Sequence, residues 1–291
     1  MAEKHGFIVL LPEQQRSNNP NLCFNWFSPR DARRGCGEAL SIAQMIAAIH
    51  DRCQTDPRQV FVTGLSAGGA MTAVMLATYP ELFAGGGIIA GLPYGTAKNV
   101  PQALERMRGH AMPTSSELAE LVRSASPFSG PWPTVSVWHG ASDATVDPAN
   151  ALAVVDQWRQ LHNVDEAPSR TERVGDHMRR IWINNAGCQV VEEYLVTGMG
   201  HGTPLSTHSS DSVEVAGPHM LEAGISSTRR LAHFWGLDRA ISNAPSHAAP
   251  TQELSGARVR SSARFDKPVV QTSGRIASTI EGALRAAGLL R

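Results

Sequence analysis

Apolar residues along this chain fall into short runs of strand length, separated by stretches in which they recur at helical spacing. Phe7-Ile8-Val9-Leu10-Leu11-Pro12 is a continuous apolar run closed by proline, the pattern of a strand buried on both faces of a parallel sheet. Ahead of it, residues 1–6 read as the last turn of a helix stopping at Gly6. A domain seldom opens on the final turn of a helix, so the pattern predicts that the chain begins inside one. From Glu38 to Cys53, Leu40, Ala43, Ile46, Ala47 and Ile49 mark an amphipathic helix, and a β-branched strand follows from Val60. The helix after Ser66 carries Met71, Val74, Met75 and Leu76 and halts at Tyr79-Pro80-Glu81, and Phe83 to Leu92 reads as the next strand.

The alternation continues further on. Thr134 to Gly140 reads as a strand, Pro148 to His162 as a helix with proline at its first turn, and Arg179 to Asn184 and Val190 to Val196 as strands joined through Asn185-Ala186-Gly187. Ser226 to Trp235 closes the series as an amphipathic helix. Strands alternating with helices predict an α/β fold, a mostly parallel sheet flanked by helices. Residues 14–37 read as a long ordered loop containing Cys23-Phe24-Asn25-Trp26-Phe27, and residues 93–133 as a proline-broken insertion with short helices near 102–107 and 116–122. Beyond Leu237 the apolar period is lost. Residues 1–237 are therefore expected to form the folded domain and 238–291 a linker and tail, with a short amphipathic helix near 276–284.

Composition narrows the partners. The 26 basic and 26 acidic residues cancel, with no long run of one sign, so no electrostatic footprint for nucleic acid or an anionic membrane is expected. No stretch approaches the length of a membrane span, and Glu3, Lys4 and His5 break any apolar leader, so the chain as written reads as unexported. Cys23, Cys36, Cys53 and Cys188 lack zinc spacing; two disulfides are arithmetically open, and buried free thiols are the expectation.

The chemistry centres on Val60-Phe61-Val62-Thr63-Gly64-Leu65-Ser66-Ala67-Gly68-Gly69, which sets a serine on a sharp turn between strand and helix. Gly64 and Gly68 are expected to let strand and helix pass closely, and the helix start behind Ser66 offers the Ala67 amide to developing negative charge. A serine hydroxyl needs a histidine to take its proton and a carboxylate to hold that histidine. Asp143 and His201 each follow a strand, and the order Ser66, Asp143, His201 is that of α/β-hydrolases. Asp147 is the rival acid, but Asp147-Pro148 reads as a helix start, so Asp143 is favoured. Among His139, His201 and His208, the Gly198-Met199-Gly200-His201-Gly202 loop favours His201 as the base, and His139 is expected to orient the acid turn.

These motifs, with Arg34-Gly35-Cys36-Gly37-Glu38, Ala90-Gly91-Leu92-Pro93-Tyr94-Gly95 and Trp138-His139-Gly140, resemble the polyhydroxybutyrate depolymerase family of esterases, to which feruloyl and acetylxylan esterases are also similar. The resemblance spans residues 2–237. It implies an α/β-hydrolase fold, ester hydrolysis through an acyl-serine without cofactor or metal, a polyester or acylated polysaccharide as substrate, and an extracellular location. It puts the nucleophile on Ser66, the acid on Asp143 and the base on His201. In such enzymes a His-Gly loop after the third strand gives a second oxyanion donor; this chain starts after that loop, which leaves Ala67. The missing third strand is expected to leave a gap between the strands at Phe7 and Val60 or to force those two strands together. Trp26 and Tyr94 are the candidates for substrate contact. Two readings compete with the polyesterase: a carbohydrate esterase, and an incomplete, poorly active protein whose triad is idle. A serine peptidase is a third, weaker reading.

Overall fold

In the computed structural model, residues 1–208 and 212–238 are described. Their core is a six-stranded sheet in the order β1-β2-β3-β6-β5-β4: β1 is Phe61–Leu65, β2 Gly85–Ile89, β3 Thr134–Gly140, β4 Arg170–Val174, β5 His177–Ile183 and β6 Gln189–Val196. The first four in that order run parallel, and β5 and β4 complete the sheet antiparallel. Helices α2 (Gly37–Cys53), α3 (Ala67–Thr78), α4 (Val100–Met107), α5 (Ser115–Arg123) and α6 (Ala149–Leu161) connect them, after a single turn α1 (Ala2–His5). A short ladder of β7 (Thr203–Leu205) with β8 (Met220–Glu222) leads to α7 (Ser227–Phe234). This is the α/β architecture with a mostly parallel sheet that the alternation predicts.

The two faces of the sheet carry separate cores. Val135 and Val137 point to one that contains Val74, Val154 and Trp158, whereas Trp138 stacks on Tyr194 on the other, beside Leu231 of α7. Helix α3 is buried from Gly69 through Thr78 without interruption, which explains why its sequence is apolar all round rather than striped.

The expected strand at Phe7 does not form. Residues 7–15 have no regular structure, and Ile8, Val9 and Leu11 are exposed, Leu11 at 82%. An apolar run becomes a strand only when a neighbour completes its ladder. Among the described residues β1 is the edge of the sheet and has β2 as its one neighbour. The tail beyond Asp238, including the helix expected near 276–284, lies outside the described residues. The four cysteines are unpaired, but Cys36, Cys53 and Cys188 are exposed rather than buried.

The loop before α2 is fastened by one carboxylate. Glu38, buried, accepts from the Gln14 side chain at 2.6 Å, Asn18 at 2.7 Å, the Asn25 amide at 2.7 Å and the Asn25 side chain at 2.8 Å. Burial pushes its pKa up despite these bonds. Glu38→Ala would leave several donors without their acceptor, at a cost of about 2 kcal/mol. The midpoint of urea unfolding should fall accordingly; an unchanged midpoint would mean that water replaces the carboxylate without loss.

Candidate active site

The parallel register aligns the carboxyl ends of four strands. Leu65 pairs with Ile89, Ile89 with Trp138, and Gly140 with Val196, so the segments that leave β1, β2, β3 and β6 emerge on one edge of the sheet. Ligand sites of open α/β sheets lie on this edge.

Ser66 sits at the turn from β1 to α3 with φ 58° and ψ −119°, a conformation that a non-glycine residue rarely holds. Two backbone bonds impose it: the Ser66 amide donates to Ile89 O at 2.9 Å, and Ser66 O accepts from the Ala70 amide at 2.9 Å. A Cβ on Gly64 would collide with the Gly68 carbonyl, so close passage of strand and helix rests on Gly64. At Gly68 a Cβ would meet nothing within 4 Å, and the expectation that both glycines serve the crossing holds for one of them. As the first residue of α3, Ala67 directs its amide out of the helix start, one of the donors that a helix cannot satisfy internally.

Asp143 follows β3 and is buried. Its Oδ1 accepts from the amides of Thr145 at 2.8 Å and Val146 at 2.9 Å, and its Oδ2 accepts from His201 Nδ1 at 2.7 Å. Burial alone would raise its pKa, but the bonds from His139, His201 and the Val146 amide, with the charge of His201, hold the carboxyl well below the usual range. Asp147, by contrast, is exposed and caps the start of α6 through its bond from the Ala149 amide at 2.8 Å.

The base loop folds back over β3. The Ser142 amide donates to Met199 O at 3.0 Å, and a Cβ on Gly140 would collide with that same carbonyl. Ser66 and Asp143 leave strands two apart, a separation of about 10 Å at ~4.8 Å per strand, and the fold-back brings His201 onto Asp143, with no hydrogen bond to Ser66. His201 Nδ1 is engaged by Asp143, while its Nε2 is buried and has no protein partner. With Nδ1–H given to a carboxylate, Nε2 carries the free lone pair that a general base needs.

Of the remaining sequence candidates, Trp26 is a correction. It is 7% exposed, belongs to the core and stands edge-on to Phe27 at 5.7 Å, so the structure makes it a packing residue rather than a contact surface. Tyr94 is half-buried at the segment leaving β2, its amide bonded to Gln157 Oε1 at 2.9 Å. His208 is exposed after β7. Sequence reading missed His219, whose Nδ1 lies 3.1 Å from His201 O and whose ring stands 5.9 Å from that of His201. Its φ of 58° is the one mark of constraint, and no motif surrounds it.

Comparison with known proteins gives the family and the fold. The family model "Esterase PHB depolymerase" matches residues 1–181. Poly(3-hydroxyalkanoate) depolymerase C of Paucimonas lemoignei is 41% identical over 239 residues, covering 81% of this chain and 58% of the relative. Acetylxylan esterase of Coprinopsis cinerea is 34% identical over 211 residues, covering 70% of this chain and 55% of the relative. The chain thus spans little more than half the length of these relatives. Among solved structures, an acetyl xylan esterase from Aspergillus awamori superposes with a TM-score of 0.67 at 26% identity, covering 81% of this chain and 80% of that one.

Proposed function

The chain belongs to the Esterase PHB depolymerase family, and from that premise we propose that it is a serine esterase cleaving carboxylic ester bonds, with poly(3-hydroxyalkanoate)-type polyester or its oligomers as substrate. The observation that carries the reading is the relay behind the strained Ser66: Asp143 on His201 Nδ1 at 2.7 Å, with Nε2 buried and unclaimed. In the proposed reaction His201 Nε2 takes the Ser66 hydroxyl proton as Oγ attacks the ester carbonyl. The Ala67 amide donates to the resulting oxyanion. Collapse of that intermediate expels the alcohol, which receives the proton from His201, and leaves an acyl-serine. Water, deprotonated by the same nitrogen, then releases the acid and restores Ser66. Asp143 keeps the imidazole in the Nδ1–H tautomer and balances its positive charge. No cofactor or metal enters these steps.

The polyester assignment follows the 41% identical relative. An acetylxylan-type activity is the second reading, favoured by the 34% identical relative and by the Aspergillus awamori structure. An insoluble or long polymer is met outside the cell, so the extracellular location belongs to the same reading. Tyr94 is proposed as a contact for the acyl chain, since it lies in the segment that leaves β2, whose last residue, Ile89, accepts from the Ser66 amide.

Hydrolysis of p-nitrophenyl butyrate and of the matching anilide, followed by acid release from poly(3-hydroxybutyrate) and from acetylated xylan, tests this. Ester cleavage is expected to exceed anilide cleavage at least about 100-fold, an ester being much the easier acyl group to transfer. The polyester should release more acid than the xylan. Greater release from xylan would move the substrate to the carbohydrate reading. Absence of ester turnover by folded protein would leave an idle triad.

A further inference from the structure

One buried ionisable side chain beside the site is not used by the reaction above. His139, in β3, is 1% exposed, and its Nε2 lies 2.8 Å from Val146 O and 3.4 Å from Asp143 Oδ2. Its Nδ1 is buried with no partner. A carbonyl oxygen only accepts, so Nε2 carries the proton. Protonating Nδ1 as well would bury a second donor with nothing to receive it, and a cation with it. The ring is thereby held neutral.

From this geometry we infer that His139 is a positioning residue for the acid, a neutral donor whose Nε2–H is shared between Val146 O and Asp143 Oδ2 and so divides that oxygen with His201. The inference rests on the triad reading of the site. Asp143 Oδ1 accepts from the Thr145 and Val146 amides and Oδ2 from His201, with the His139 ring nitrogen a further 3.4 Å neighbour of Oδ2. The Val146 peptide is held from both sides, its N–H by Asp143 and its C=O by His139. Because one of the two rings is kept neutral, the charge that appears on His201 during turnover has the carboxylate to itself. A cation at 139 would compete for it.

At 3.4 Å the contact with Oδ2 is longer than an ordinary hydrogen bond, and the contact with Val146 O at 2.8 Å is the firm one. His139 therefore acts on the acid chiefly by holding the turn whose amides donate to Asp143 Oδ1. His219 stands against the His201 ring at 5.9 Å.

The test compares ester turnover by the parent, His139→Phe and His139→Gln. The Phe variant loses the donor and should show kcat reduced about tenfold with KM unchanged, whereas Gln, whose amide donates from the same place, should restore kcat. Nitrogen NMR of histidine-labelled Ser66→Ala protein should find the His139 proton on Nε2 without requiring turnover. An unchanged kcat in the folded Phe variant, or a loss that Gln does not relieve, would overturn the inference. So would a His139 proton found on Nδ1, and that readout decides should the Phe variant fail to fold. Failure of the esterase reading would appear separately, as absent ester turnover by the parent with the His139 proton still on Nε2.

Discussion

Ser66→Ala is expected to lower ester turnover by about 10⁶-fold, because attack, acyl transfer and deacylation all pass through one hydroxyl. Labelling by an organophosphonate should vanish with it. The far-UV circular dichroism should not change, since alanine keeps the Cβ at φ 58° and the two backbone bonds that hold Ser66 involve its amide and carbonyl rather than its hydroxyl. The contrast between a lost label and an unchanged spectrum separates a missing nucleophile from a misfolded protein. Persistent labelling would mean that a different residue is the nucleophile.

Asp143→Asn carries the second large effect, a fall in turnover of about 10⁴-fold, while Asp147→Asn should stay within about twofold of the parent. An amide at position 143 still fits the turn, but it presents an N–H or a weak carbonyl to His201 Nδ1. The ring can then turn its lone pair toward residue 143 and its proton toward Ser66, which is the wrong tautomer for a base. At position 147 asparagine accepts the Ala149 amide as well as aspartate does. Comparable losses in both variants would reassign the acid. The depressed carboxyl also has a pH consequence. Asp143 adds stability above the unfolded aspartate value, near 3.8, and that contribution is lost as pH falls through its lower folded value. Across the working range Asp143 therefore stays charged.

Ser66, Asp143 and His201 are legible in the sequence because each lies on a loop directly after a strand, and loops carry punctuation. Gly64, the Gly140 turn and the glycines around His201 mark where the chain leaves the sheet, and the residue order does the rest. What stays hidden depends on partners distant along the chain. Phe7 to Leu11 reads as a buried strand by every local rule, yet among the described residues it joins no ladder, and Ile8, Val9 and Leu11 are exposed. The opposite error occurs at β4, Arg170-Thr171-Glu172-Arg173-Val174, a strand without an apolar run; antiparallel pairing with β5 and the Arg179–Glu172 ion pair at 2.6 Å supply what apolar burial does not. Trp26 reads as a site aromatic because it sits in a polar loop, but Glu38 draws that loop onto the body of the protein and closes the core over the ring. His219 leaves no trace in the sequence because its role is to touch a backbone oxygen, a contact that any loop of suitable shape can make.

Helix α3, buried through ten consecutive residues, divides this site into a part that tolerates change and a part that does not. Almost any enlarged side chain along Gly69 to Thr78 would meet packed neighbours, so the nucleophile stands on ground where substitution is penalised regardless of chemistry. His201 and His219 stand outside that helix at half-buried positions, although Met199 and Leu205 nearby belong to the core. Substitutions meant to change substrate preference without disturbing the packing therefore do not belong in the helix that carries the reactive oxygen.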